Sequence, residues 1–195
     1  MRSAVLERNT NETQIKLEIN IDGSGRAQIS TGIGFLDHML TLFARHSGFD
    51  LEVACTGDTY VDDHHSCEDI GIVLGETVRQ ALGDKRGITR YGDIILPMDE
   101  ALILCACDIS GRGLLAFDAP FPTEKIGTFD TQLVMEFFEA FARSSGITIH
   151  IRKLAGTNSH HIAEGIFKAF ARCMAEACSI DEKRSNEIPS TKGVI

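Results

Sequence analysis

Four of the seven histidines stand in two adjacent pairs, and each pair opens the same short pattern: HHSCE over residues 64–68 and HHIAE over residues 160–164. Imidazole with carboxylate and no thiolate is the ligand mixture that suits manganese, iron or catalytic zinc rather than a structural zinc site. Successive side chains on a helix diverge by about 100°, so His64 and His65 cannot easily share an ion, nor can His160 and His161. A histidine and a glutamate three or four residues on do share a face. Each segment therefore offers one His/Glu pair, with Glu68 or Glu164, and one histidine pointing elsewhere. Cys67 falls inside the first segment, but the second has Ala163 there, so thiolate ligation is not supported. The zinc-protease pattern HExxH does not occur.

The elements that must carry these residues are themselves repeated. FARHSG at 43–48 returns as FARSSG at 141–146, an offset of 98 residues, at which Leu51 meets Ile149 and Val53 meets Ile151. The histidine pairs follow at an offset of 96, so the loop before the second pair is shorter by two. Each copy reads as strands, then an amphipathic helix (35–46 and 131–144) closed by Gly48 or Gly146. An alternating strand follows, and then a second helix opened by HHxxE (64–82 and 160–178). The expected fold is α+β and internally duplicated, with residues 1–92 as the first unit and 93–195 as the second. Each unit has a mostly antiparallel sheet with two helices on one face. The helix layers pack together about a pseudo-twofold axis. At the 98-residue offset His38 meets Glu136, so each site gains a candidate ligand from the first helix. Asp37 reads as a support for a histidine. His46 and His150, whose partners are Ser144 and Glu52, read as structural or supporting groups.

Composition sets limits. With 43% hydrophobic and 24% charged residues, 195 residues can fill one sizeable core. A net charge of -9 argues against nucleic acid, which rewards a basic surface. The six cysteines include no CxxC and sit among apolar neighbours, as reduced buried thiols do. No signal core or membrane-spanning run is evident, so a soluble, cytoplasmic protein is expected.

GFLDHML, FARHSGFDLEV, GDTYVDDHHSCEDIGIVLG, the RYG and PMDEA block, DISGRG, HHIAEGIFKAFAR and PSTKG together resemble the imidazoleglycerol-phosphate dehydratases, in their monofunctional form, from about Arg8 to Gly193. The resemblance implies a fold of the ribosomal protein S5 domain 2-like type and a hydro-lyase of histidine biosynthesis. Its substrate would be imidazole glycerol phosphate, its product imidazole acetol phosphate. It also implies two Mn2+ ions per active site, trimers assembled into a shell of twenty-four subunits, and active sites between subunits. Eight residues stand as metal ligands: His38, His64, His65, Glu68, Glu136, His160, His161 and Glu164. Many relatives carry histidine where this chain has Glu136. Glu12 is the implied acid–base residue, with Asp99 and Glu100 in support. Arg90, Arg112, Lys168, Ser190 and Lys192 are the implied phosphate ligands, and the C-terminal tail is a lid that orders on substrate.

The chemistry suits a doubled site. Hydroxide must leave the carbon beside an imidazole ring, and a non-acidic C–H proton must be lost from the next carbon. Metal on both ring nitrogens would push electrons outward and expel the hydroxyl. Two other classes fit the same ligands: a binuclear metallohydrolase acting on a small phosphate ester, and a non-enzymatic metal-binding scaffold.

Overall fold

The computed structural model describes residues 1–195. Alternation builds the strands. In β2 (Thr13–Asn20), Ile15, Leu17 and Ile19 face inward while Gln14, Lys16 and Glu18 face solvent. With β1 (Ser3–Asn9), β3 (Ala27–Ser30) and β4 (Asp50–Gly57) it forms a four-stranded sheet in the order β1-β2-β4-β3. The second sheet, β5 (Tyr91–Met98), β6 (Ala101–Asp108), β7 (Leu114–Asp118) and β10 (Thr148–Ala155), has the same order, β5-β6-β10-β7. In each, only the last pair, β3–β4 or β7–β10, is parallel.

The helices are α1 (Gly34–Ser47), α2 (His64–Leu82), α3 (Gln132–Ser145) and α4 (Ser159–Cys178). α1 and α3 end alike. Gly48 (φ 78°) and Gly146 (φ 71°) take the left-handed conformation and donate to Ala44 O and Ala142 O. Ser47 and Ser145 receive the next N–H, from Phe49 and Ile147. The duplication thus reaches individual hydrogen bonds.

α1 and α2 lie on the first sheet, α3 and α4 on the second, and the two helix layers face each other, α2 on α3 and α1 on α4. All four helices run the same way. A Cβ on Gly71 would stand 2.6 Å from Phe137 O, and one on Gly75 would stand 2.7 Å from Phe141 O, so α2 and α3 advance together. Phe43 stacks on Phe170 at 5.4 Å, one turn and more beyond the place where His38 approaches Glu164. Phe138 meets Phe167 at 5.0 Å, and Phe141 meets Phe170 at 5.1 Å. One core of 48 buried residues spans both repeats. All four helix N-termini, and with them both HHxxE segments, come to one end of the molecule.

The repeat is also less even than one offset suggests. Through the first three strands it is 88 residues: Thr13 opens β2 and Ala101 opens β6. Through α3 and β10 it is 98, and at the histidine pairs it falls to 96. The step to 98 comes from ten extra residues between β7 and α3. They carry a small hairpin, β8 (Lys125–Ile126) and β9 (Phe129–Asp130), without a counterpart in the first repeat. The hairpin is pinned to the start of α4 by Thr123, whose Oγ1 lies 2.7 Å from Ser159 Oγ, and it buries Phe129 against Phe35 at 5.1 Å.

The α2–α3 contact has no room for a methyl group. Gly71→Ala is expected to lower unfolding free energy by about 1–3 kcal/mol, read by urea denaturation. A similar loss is expected for Gly75→Ala.

Candidate metal centre

His38 comes from the second turn of α1, and His160 and Glu164 come from the first two turns of α4. Their ligand atoms all lie within 4.8 Å of one another. His160 Nε2 is 3.1 Å from Glu164 Oε2, and His38 Nε2 is 3.7 Å from the same oxygen. The group is assembled across the two repeats, through the α1–α4 contact. Asn158 caps α4 by accepting from the His160 and His161 N–H groups, which fixes the pair at the helix start. The Phe35 ring meets the His160 ring edge-on at 5.4 Å. Glu164 is 8% exposed. Burial pushes its carboxyl up, but the Lys168 ammonium, 2.5 Å from Oε1, and His160 outweigh it and hold it low. Two imidazoles and a buried anionic carboxylate fit a divalent ion with open positions.

At the 96- and 98-residue offsets, the counterpart of this group is Glu136 with His64 and Glu68. These residues sit at the start of α3 and α2 but do not converge. Glu68 Oε1 lies 3.5 Å from Arg143 Nη2. The physical difference is charge: one imidazole stands with two carboxylates there, against two imidazoles with one carboxylate around Glu164. Both carboxylates act on buried Cys67, whose thiol is pushed up first by burial and then by Asp63, Glu136 and Glu68. The Cys67 Sγ donates to Leu133 O and points away from any ligand position.

The second histidine of each pair diverges, as helix geometry requires. The ring planes are 83° apart for His64 and His65, and 89° apart for His160 and His161. His65 Nδ1 lies 3.0 Å from Asp58, with Glu12 3.9 Å from its Nε2. His161 Nδ1 lies 2.7 Å from Glu100, with Asp99 3.7 Å from its Nε2. The Asp58 and Glu100 hydrogen bonds raise both imidazoles. The turn that bears Glu12 is tied to α2 by Asp69, which accepts from Arg8 at 3.1 Å and from Thr13 Oγ1 at 2.5 Å.

Four of the five phosphate candidates, Arg90, Arg112, Ser190 and Lys192, line one pocket with Ser110 and Thr191. Arg90 holds the tail there, donating to Pro189 O at 2.8 Å, and its other nitrogens fork onto Asp108 at 2.7 and 3.2 Å. Lys168 stands apart, with Glu164. The pocket is at the wrong end of the helix layer for its own metal group. Arg90 N–H donates to Ala177 O at 2.9 Å, and Ala177 is 17 residues beyond His160 on α4, about 25 Å along the axis.

Other expected residues settle outside the centre. Asp37 supports no histidine; it accepts from Thr31 N at 2.8 Å and Thr31 Oγ1 at 2.5 Å, tying down the start of α1. His150 is exposed on the outer face of β10. All six cysteines are free, and burial raises the thiols of Cys55, Cys67 and Cys178, the last to about 12. No helix is long and apolar enough to cross a membrane.

Residues 31–174 match the model of the imidazoleglycerol-phosphate dehydratase family. The dehydratase of Clostridioides difficile (strain 630) is 59% identical over 195 residues, covering 100% of both chains. That of Azorhizobium caulinodans is 57% identical, over 100% of this chain and 99% of the relative. The crystal structure of the Staphylococcus aureus enzyme superposes with a TM-score of 0.84 at 44% identity, covering 92% of this chain and 99% of that one. The Pyrococcus furiosus enzyme, solved with the ligand (S)-C348, also gives 0.84, at 38% identity, covering 97% and 100%.

His46 lies on α1 opposite α4. Burial first, and then Lys168 and Arg172, push its imidazole below the ordinary histidine value. Below about pH 6.5 the unfolded chain takes up a proton that the folded His46 resists, so its contribution to stability is lost as pH falls. Between pH 7.5 and 5, His46→Gln is expected to lose less stability than the unmutated chain in chemical denaturation.

Proposed function

The chain belongs to the imidazoleglycerol-phosphate dehydratase family, a family of hydro-lyases in histidine biosynthesis. From that premise we propose that it converts imidazole glycerol phosphate to imidazole acetol phosphate and water, using two Mn2+ ions per active site. One observation carries the reading: His38 from the first repeat converges with His160 and Glu164 from the second. Glu136, His64 and Glu68, which do not converge within one copy, are the matching ligands, with His65 and His161 turned outward for sites shared with other copies. Residues 1–92 and 93–195 stand for the two repeats, although β5 already begins at Tyr91, so Tyr91 and Gly92 go with the second sheet.

When bound, the metal ions supply Lewis acidity and a template for the imidazole ring. The protein's own groups do the rest. Glu12, with its carboxylate exposed 3.9 Å from His65 Nε2, takes the proton from the carbon next to the one losing hydroxyl. The resulting enol tautomerises to the ketone. Arg112, Ser190 and Lys192 grip the phosphate, with Arg90 holding the tail that presents Ser190 and Lys192. Lys168 adds its charge from the metal side.

The active site is composite in this reading. A ring joined to a phosphate through three carbons cannot span about 25 Å along α4. The metal group of one copy must therefore meet the phosphate pocket of another. Self-association is part of the catalytic design, and the resemblance sets it at twenty-four subunits built from trimers, in the cytoplasm.

Incubation of Mn2+-loaded protein with imidazole glycerol phosphate is expected to yield the keto product with its phosphate intact. Phosphate release without that product would instead indicate a metallohydrolase. Glu12→Gln is expected to reduce kcat by roughly a hundredfold or more while Mn2+ content and native mass stay unchanged. A variant that kept its turnover would refute the role of Glu12.

A further inference from the structure

Two tight turns at the metal end are twins. Asn9 faces Gln14 across β1–β2, and Pro97 faces Leu102 across β5–β6, so Glu12 and Glu100 hold the same place in equivalent hairpins 88 residues apart. Each turn lies beside the second histidine of its HHxxE segment. The two carboxylates are nevertheless used differently. Glu100 accepts the Thr157 N–H at 3.2 Å and the Asn158 N–H at 2.8 Å through Oε1, and its Oε2 is 2.7 Å from His161 Nδ1. Glu12 comes only within 3.9 Å of His65, on the Nε2 side, and its side chain is 54% exposed.

The equivalent Nδ1, that of His65, is held by Asp58 instead, at 3.0 and 3.2 Å. Asp58 belongs to the loop between β4 and α2, DTYVDD. Its counterpart between β10 and α4 is only Gly-Thr-Asn and contains no carboxylate. Where the loop supplies an acid, the turn glutamate is free. Where the loop was shortened, the turn glutamate fills the gap.

We propose that the twin glutamates divide two tasks: Glu100 is a positioning residue that, like Asp58 in the first repeat, fixes a histidine Nδ1 so that Nε2 faces outward to metal, and Glu12 is left free to move protons. A neutral imidazole donating Nδ1–H to a carboxylate presents its lone pair at Nε2, and the carboxylate holds the ring plane and raises its basicity as a ligand. The inference rests on the metal-dependent dehydratase reading.

Mn2+ titration of metal-stripped protein by calorimetry and electron paramagnetic resonance separates the roles. Glu100→Ala and Asp58→Ala should each weaken Mn2+ binding about 10–100-fold. Glu12→Ala should leave it within about twofold of the unmutated protein while turnover is lost. Glu100→Gln, whose amide oxygen can still accept Nδ1–H, should recover part of the affinity. In 15N spectra of metal-free protein, His161 should lose its Nδ1–H tautomer preference in Glu100→Ala, and His65 should do so in Asp58→Ala. The tautomer reading, with unfolding midpoints, separates positioning from loss of fold. Unweakened Mn2+ binding by Glu100→Ala, or equal weakening by Glu12→Ala, would overturn the division. Failure of the unmutated protein to bind Mn2+ would overturn the metal reading beneath it.

Discussion

The ligand groups are split between helices, and that imposes one constraint on everything else: α1 must run beside α4, and α2 beside α3, parallel and with their first turns level. Consecutive helices joined by short loops run antiparallel, so the chain cannot meet this demand with a helical hairpin. It meets it by sending β4 back from the end of α1 to the start of α2, and β10 from the end of α3 to the start of α4. The sheets are therefore the return paths that bring four helix N-termini to one end. Gly71 and Gly75 bring α2 to backbone contact with α3. The Phe43–Phe170 stack fixes the register of α1 on α4.

Parallel helices also shape the electrostatics. Each N-terminus carries about half a positive charge in its unpaired N–H groups, and four of them face the same end. That field favours the carboxylates of Glu68, Glu136 and Glu164, which lie in the second turns of α2, α3 and α4, inside a protein of net charge -9. The pocket proposed for the phosphate gets no such help, because it lies toward the helix C-termini, and there Arg90, Arg112 and Lys192 supply the positive charge instead. The fold separates the His38–His160–Glu164 group from the basic pocket by the length of α4.

Much of this was legible in the sequence because duplication writes the same physics twice. HHxxE at two places specified two helix starts, and the FARxSG match tied His38 to Glu136 before any geometry was known. The closing turns at Gly48 and Gly146 followed from glycine alone. Other features had no such signal. The β8–β9 hairpin escaped because the 98-residue offset is read downstream of it, whereas the strands upstream follow at 88. Asp58 and Glu100 are ordinary loop and turn acids until the fold brings them to a histidine ring. Lys168 and the tail residues look alike as isolated cations. Only the length of α4 shows that Lys168 belongs with the metal group and the others with a distant pocket.

The central claim is that catalysis needs two copies, one giving the metal group and the other the phosphate pocket. Mixed assembly of two inactive variants tests it directly: His160→Ala, which spoils the metal group, with Arg112→Ala, which spoils the pocket. Each alone should be inactive. Unfolded and reassembled together in equal amounts, they should regain activity in about a quarter of the sites, where an intact metal group meets an intact pocket. No recovery in assemblies shown by mass to contain both variants would contradict the account.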